Sequence, residues 1–424
     1  MVRRLLVVVG LVALVTAGVL GVSGAGGAAG SMQTRWVITD LGTLGGKESE
    51  AVAINERGQI AGWSDTKSGN SHAFLWQRRK MTDLGSLTGN SGAGDINERG
   101  QVVGASESRV KDTDGDPIWH ALLWQNGRKL DLTPTAKLAP LACYGARDAE
   151  ASGTCTANGD LVNERGWVLV SMTGTGENDS TNINRAFLWQ NGMLIDLGAL
   201  SDWTTDAKAI NDRGQVVGSA QTEAKDKDDV PFTHAFLWQN GKMTDLGTLG
   251  GKASEAVAIN KRGQIVGSSD TKSGNGHAFL WQRGKMTDLG SLAGASSAAD
   301  INARGQIVGW SDTGAKTPYG DSIGHAFLWQ NGKMTDLGTL GGKASDAVAI
   351  NERGQIIGCG RYDADGECSQ AFVWQNGKMT GLGTLPGGKK SEALAINEHN
   401  QIVGYSTTKT GQQHAVLWTL KPAG

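Results

Sequence analysis

HAFLWQNGKMTDLGTLGGKASDAVAIN, residues 325–351, recurs along the chain with few changes, and its internal spacing decides the fold. Two apolar runs, HAFLWQ and KMTDLGTL, flank the dipeptide Asn331-Gly332. Asn-Gly in that setting is a strong hairpin signal, because both positions tolerate positive φ. A GGKAS link leads into DAVAIN, and after the turn at Asn351 the run GQIIG follows from Gly354. The Asn-Glu-Arg-Gly turn between those two runs makes a second tight reversal. None of the runs has a 3.6-residue apolar period, so they are read as strands. Each unit therefore supplies four short strands.

Eight units follow one another, marked by turn asparagines at Asn55, Asn97, Asn163, Asn211, Asn260, Asn302, Asn351 and Asn397. A period of 42 to 66 residues indicates a propeller or a helical array, and the lack of helical periodicity leaves the propeller. A four-stranded unit is a propeller blade. A copy of the fourth strand, WVITDLGTLGG from Trp36, precedes the first full unit, while the last unit stops at HAVLWTL, residues 414–420. The sequence thus predicts an all-β, eight-bladed propeller of 32 strands, its ring closed by an N-terminal strand that completes the last blade and leaves no open edge. The Ala-rich run is expected innermost and the DLG run outermost. The two tight turns then lie on one face. The variable links between second and third strands share the other face with the GGKAS connections, and function is expected there.

The expected organisation is a signal peptide at 1–30, one propeller at 31–420, an insertion at about 133–160 and a tail at 421–424. Arg3 and Arg4 precede the charge-free run Leu5 to Val22, and the small residues of SGAGGAAG follow; this is the pattern of a secretory signal. The apolar run is also nearly long enough to span a bilayer, so an uncleaved membrane anchor is the alternative. Either reading places the rest outside the cytoplasm, secreted or surface-associated. Glycine is high at 63 residues, proline low at 7, and tryptophan reaches 14, which suits many tight turns between ring-packed strands. With 40 Lys and Arg against 42 Asp and Glu, a net charge of −2 offers no footprint for a phosphate backbone, so nucleic acid is not an expected partner. A monomer is expected. The four cysteines form two local pairs in an oxidising compartment, Cys143 with Cys155 and Cys359 with Cys368, and the absence of CxxC argues against zinc.

HAFLWQ stands unchanged at His72, His234, His277 and His325, with variants at His120, Arg185, Gln370 and His414. Together with the repeated DLGTLGG words behind a signal segment, these resemble the extracellular HAF-repeat family across nearly the whole mature chain. The resemblance implies a secreted repeat protein and no particular reaction.

The repeated histidine is read as structural. Each copy lies on a different blade, too far from the others to share a metal. If the Asn331-Gly332 turn fixes the register, Phe327 faces Asp336, and His325 becomes a diagonal neighbour of that carboxylate. The tryptophans at Trp76, Trp124, Trp189, Trp238, Trp281, Trp329, Trp374 and Trp418 recur once per blade, which means packing between blades. No unique pair of carboxylates stands out for glycoside hydrolysis, and no catalytic residue is assigned.

Positions where the copies differ are not demanded by the scaffold. Just after the GQIVG run, aromatic residues stand at Trp63, Trp310 and Tyr405; Tyr319 and Tyr362 are expected in neighbouring loops. They fall in units six, seven, eight and one, contiguous once the ring closes. Such an arc can stack on sugar rings or anchor a protein; extra packing between blades is the alternative for Trp63 and Trp310. Acidic segments at residues 111–116, 225–229 and 363–367 offer oxygen ligands for calcium through Asp112, Asp114, Asp116, Asp363 and Asp365, although none has EF-hand spacing and solvated loops are the plainer reading. No other cofactor is expected. The leading functional expectation is a non-enzymatic propeller that binds an extracellular glycan or protein through its variable face. The alternatives are an extracellular polysaccharide hydrolase or lyase, and a structural cell-surface protein.

Overall fold

A computed structural model describes residues 34–112, 115–133, 155–175, 182–201, 204–317, 320–362 and 368–422. The expected signal segment lies outside these residues. Among them are 32 strands in eight four-stranded antiparallel sheets. Seven sheets use four consecutive strands. The eighth pairs β1 (Thr34–Gly42) with β32 (Gln413–Pro422), followed by β31 (Gln401–Thr407) and β30 (Ser391–Ile396). The ring closes as expected. β32 runs on through Lys421 and Pro422, which face Arg35 and Thr34, so half of the expected tail is strand: β1 extends far enough to pair with it.

The first strand of every blade is innermost, and the turn asparagines show why. The Asn55 side-chain amide donates to the Asn97 carbonyl, Asn97 to Asn163, and so on through Asn397, which donates back to Asn55; all eight bonds measure 3.0–3.2 Å. Each asparagine also holds its own turn. Asn351 Oδ1 accepts the N–H groups of Arg353 and Gln355 at 3.1 and 2.9 Å, and its amide donates to Gln355 Oε1 at 2.7 Å. Both lone pairs and both protons of the side chain are used, which suits an amide buried in this ring.

Inner strands carry a bulge two to four residues before the asparagine, for example between Ala51 and Ala53 of β2 (Gly45–Ile54). The glycine closing each GQIVG run lies opposite; a Cβ on Gly62 would collide with the Glu50 carbonyl oxygen. The third blade inverts the pair, with Gly159 on its inner strand β10 (Cys155–Val162) and Val170 opposite. That inversion corrects the expected insertion. Residues 155–160, read from sequence as its end, form most of β10; polar TANGD replaces the alanine pattern and conceals the strand.

Eight apolar clusters each join two neighbouring blades, such as Leu328 and Leu337 with Ile356 and Phe372. The phenylalanine of HAFLWQ is the deeper aromatic: Phe74, Phe236, Phe279, Phe327 and Phe372 are fully buried. Burial of each is worth about 2–3 kcal/mol. Trp124, Trp238 and Trp418 are buried, whereas Trp76, Trp189, Trp281, Trp329 and Trp374 are half-buried against the same clusters. The linking serine of GGKAS closes the seam: Ser345 Oγ accepts from Ala326 N at 2.9 Å and donates to the Gly338 carbonyl at 2.6 Å.

The His–Asp pairing follows the predicted register. Phe327 faces Asp336, and His325 Nδ1 lies 2.9 Å from Asp336 Oδ2. Six blades repeat the pair at 2.8–3.0 Å. Where histidine is lost the partner adapts: Arg185 reaches Asp196 at 2.7 Å, and in the seventh blade Gln370 stands beside Gly381, with no carboxylate there.

Candidate functional site

The inner strands vary between copies at two positions, five and three residues before each turn asparagine. These positions are half-exposed in most blades, while their neighbours are buried alanines. The first position holds Glu50, Gly92, Asn158, Asp206, Glu255, Ser297, Asp346 and Glu392 around the ring. Five of the eight are carboxylates.

Across the fourth and fifth blades the wall is tied shut. Lys208 Nζ lies 2.6 Å from Asp206 and 3.5 Å from Glu255. Burial pulls the Lys208 ammonium down, but the two carboxylates outweigh it and hold it above its ordinary value.

Two cavities open on the opposite arc. The first, about 810 Å³, lies between the seventh and eighth blades and reaches Glu48 of the first. On its wall the Tyr362 hydroxyl donates to Asp346, and the Tyr405 hydroxyl donates to Glu392 at 2.8 Å. Burial raises the Asp346 carboxyl, assisted by the Glu392 charge, although the Tyr362 bond opposes it. Burial and the Asp346 charge raise the Tyr362 phenol. A disulfide between Cys359 and Cys368, Cα atoms 5.6 Å apart, forms part of the same wall.

The second cavity, about 570 Å³, spans the first three blades. Its walls are Trp63 on β3 (Ile60–Thr66) and Trp119 on β8 (Pro117–Gln125), both half-buried. Between them the inner strand β6 (Ser91–Ile96) presents Gly92 and Gly94 where other blades carry larger side chains. The two glycines differ in role. A Cβ at Gly94 would press on the Gly159 and Asp160 carbonyls, so Gly94 lets two blades approach, while a Cβ at Gly92 meets nothing nearer than Trp63 Cβ at 3.9 Å. Gly92 therefore leaves open space. Asn158 and Asp160 of the third blade close the far end. Burial pushes the Asp160 carboxyl up to about 7 despite hydrogen bonds from Ser171, with the Asp206 charge adding to the rise.

The sequence-predicted aromatics divide between these features. Trp63, Trp310 and Tyr405 sit on second strands rather than on loops, facing Glu50, Ser297 and Glu392. Tyr362 ends β27 (Ile356–Tyr362). Tyr362 and Tyr405 line the first cavity, Trp63 lines the second, and Trp310, 38 % exposed, lines neither. Tyr319 lies outside the described residues. The repeat pattern does not single out Trp119, which alone precedes its blade's HAFLWQ-type histidine with an indole, nor Asp160, because β10 falls within the expected insertion.

Of the calcium candidates, Asp112 accepts from the Asp116 N–H at 2.8 Å, which closes their turn; Asp114, Asp363 and Asp365 lie outside the described residues. Among the described residues no group of three or more His, Cys, Asp or Glu is arranged to hold a metal. Cys143 and the Cys155 side chain also fall outside the description.

No family model and no curated protein matches the chain. Solved structures do. The β-propeller domain of the Trilobed protease from Pyrococcus furiosus is 9 % identical, with TM-score 0.47, over 80 % of this chain and 98 % of that one. Acylaminoacyl peptidase from Pyrococcus horikoshii is 10 % identical, with TM-score 0.46, over 87 % of this chain and 59 % of that one. These are likenesses of fold, which many activities share.

Proposed function

We propose that the protein is a non-enzymatic, extracellular β-propeller that binds carbohydrate at the loop-bearing mouth of its ring. The observation that supports this reading is the groove between Trp63 and Trp119, floored by Gly92 and ended by Asn158 and Asp160. Flat indole faces suit the C–H face of a sugar ring, and the amide and carboxyl groups suit its hydroxyls. Trp119, Gly92, Asn158 and Asp160 each stand alone at their position among the eight copies, and Trp63 recurs only as Trp310, so the scaffold does not require them. The Cys359–Cys368 disulfide is consistent with an extracellular location.

A glycan array probed with the full chain and with Gly92→Glu tests the proposal. Glutamate is the residue the first, fifth and eighth blades carry at that position, and the open space at Gly92 accepts it. The native chain should bind a defined glycan class and the variant should lose it. Binding of equal strength by both would reject the groove as the site.

A polysaccharide hydrolase is the second reading, supported by Asp160: a carboxyl that titrates near 7 is matched to general acid work. Release of reducing ends from a bound glycan, abolished by Asp160→Asn, would favour it over binding alone.

A further inference from the structure

The two cavities lie side by side. Gln413, on the wall of the first, donates from Nε2 to Glu50 at 2.6 Å. Glu50 is the cross-strand partner of Trp63, on the wall of the second, and such partners have Cβ atoms about 5 Å apart. One hydrogen bond and one strand pair thus connect the wall of the first cavity to the wall of the second. The first blade serves both cavities, giving Glu48 to one and Trp63 and Ser71 to the other. At the fourth and fifth blades the inner wall is bridged instead, by Lys208 between Asp206 and Glu255.

Aromatic rings recur along this arc, with Tyr362 and Tyr405 in the first cavity and Trp63 and Trp119 in the second. Formal charge in the lining of the first cavity balances, with Glu48, Asp346 and Glu392 against Lys389, Lys390 and Lys409. A wall without net charge gives a uronate no electrostatic preference over an uncharged sugar, and the inner-strand carboxylates oppose one.

We infer that the two cavities are one extended site, occupied by a linear neutral oligosaccharide that runs around the mouth from the seventh blade to the third and crosses the first blade at Trp63. The inference rests on the carbohydrate reading and adds the ligand's length, charge and path. Two linked cavities reward a ligand long enough to fill both, because the second contact forms at high effective concentration.

The test uses the full chain with ladders of one to six sugar units from β-1,4-glucan, xylan, chitin and arabinan, and a galacturonan ladder as the charged control. Affinity should rise about tenfold or more between the shortest binding member and the longest in one neutral series. Trp119→Ala should weaken every member of that series. Tyr405→Ala should weaken only the longer ones, and Tyr405→Phe, which keeps the ring and loses the bond to Glu392, should bind them as the native chain does. Equal affinity for short and long members with Tyr405→Ala silent would overturn the spanning path, while leaving the carbohydrate reading intact if Trp119→Ala still weakens binding. Preference for galacturonan would overturn the neutral ligand. Binding to none of the ladders would overturn the carbohydrate reading together with the inference.

Discussion

Asn397 donates its side-chain amide to the Asn55 carbonyl at 3.1 Å, joining residues 342 positions apart. With β1 on β32, this bond closes the ring at its seam. Asn397→Ala would also remove the donor to Gln401 Oε1 and the acceptor of the His399 and Gln401 N–H groups. Buried partners left unsatisfied make that costly, at about 2–4 kcal/mol. Denaturant unfolding checks it, and a loss below about 0.5 kcal/mol would show that the asparagine ring adds little.

Gln370 and Gly381 replace the His–Asp pair in the seventh blade, which predicts coupling between the two positions. Gly381→Asp alone places a carboxylate against the Gln370 amide, since a Cβ there would already stand 2.6 Å from Nε2. Gln370→His with Gly381→Asp restores the pair found in six other blades. The double variant should be more stable than the sum of the singles by about 1 kcal/mol in a double-mutant cycle. Additive effects would mean that the pairing is incidental to blade stability.

Asp160 makes stability fall as pH rises. Its carboxyl titrates near 7 in the fold against 3.8 in an unstructured chain. Below about pH 4 both states hold the proton and the group contributes nothing. From there to about 7 the unfolded chain ionises first, so the folded state loses relative stability, on the order of 4 kcal/mol by the top of the window. Glu50 and Asp346 are raised as well and act in the same direction, so the difference between native chain and Asp160→Asn isolates the one group. That difference should favour the variant increasingly from pH 4.5 to 7.5. Parallel pH profiles would contradict the buried carboxyl.

The Cys359–Cys368 bridge closes a short loop of sequence separation 9. Its loss in Cys359→Ala with Cys368→Ala should cost about 2–3 kcal/mol by the chain-entropy account. Because the bridge lines the first cavity, long oligosaccharides should bind this variant more weakly and short ones unchanged. A native melting temperature in the double variant would contradict the structural role.

The architecture was legible because repetition states it. The Asn331-Gly332 turn predicts the register that brings His325 to Asp336, and both residues of the turn have positive φ, 52° and 78°. The strand copy at Trp36 predicts the closure. The site was harder to read, because its second cavity is made by side chains that are missing. Gly92 and Gly94 carry no motif; their meaning appears only beside Glu50 and Val52 at the same places in the first blade. Asp160 was hidden for a related reason. Its strand exchanges the usual glycine and apolar partner between Gly159 and Val170, so TANGDLV does not resemble DAVAIN. Aligning all eight copies at the positions five and three before each asparagine exposes both, as does the fact that Trp119 stands where the other blades have glycine or a polar residue: Ser71, Asn184, Thr233, Gly276, Gly324, Ser369 and Gln413.

Isothermal titration of Trp119→Ala against the glycan that the native chain binds tests the central claim most directly, with circular dichroism confirming an unchanged fold. Loss of an aromatic anchor in a desolvated groove should cost about 2 kcal/mol, roughly a thirtyfold weaker dissociation constant. Affinity within a factor of about two of the native chain, 0.4 kcal/mol or less, would contradict the assignment of the Trp63–Trp119 groove as the binding site.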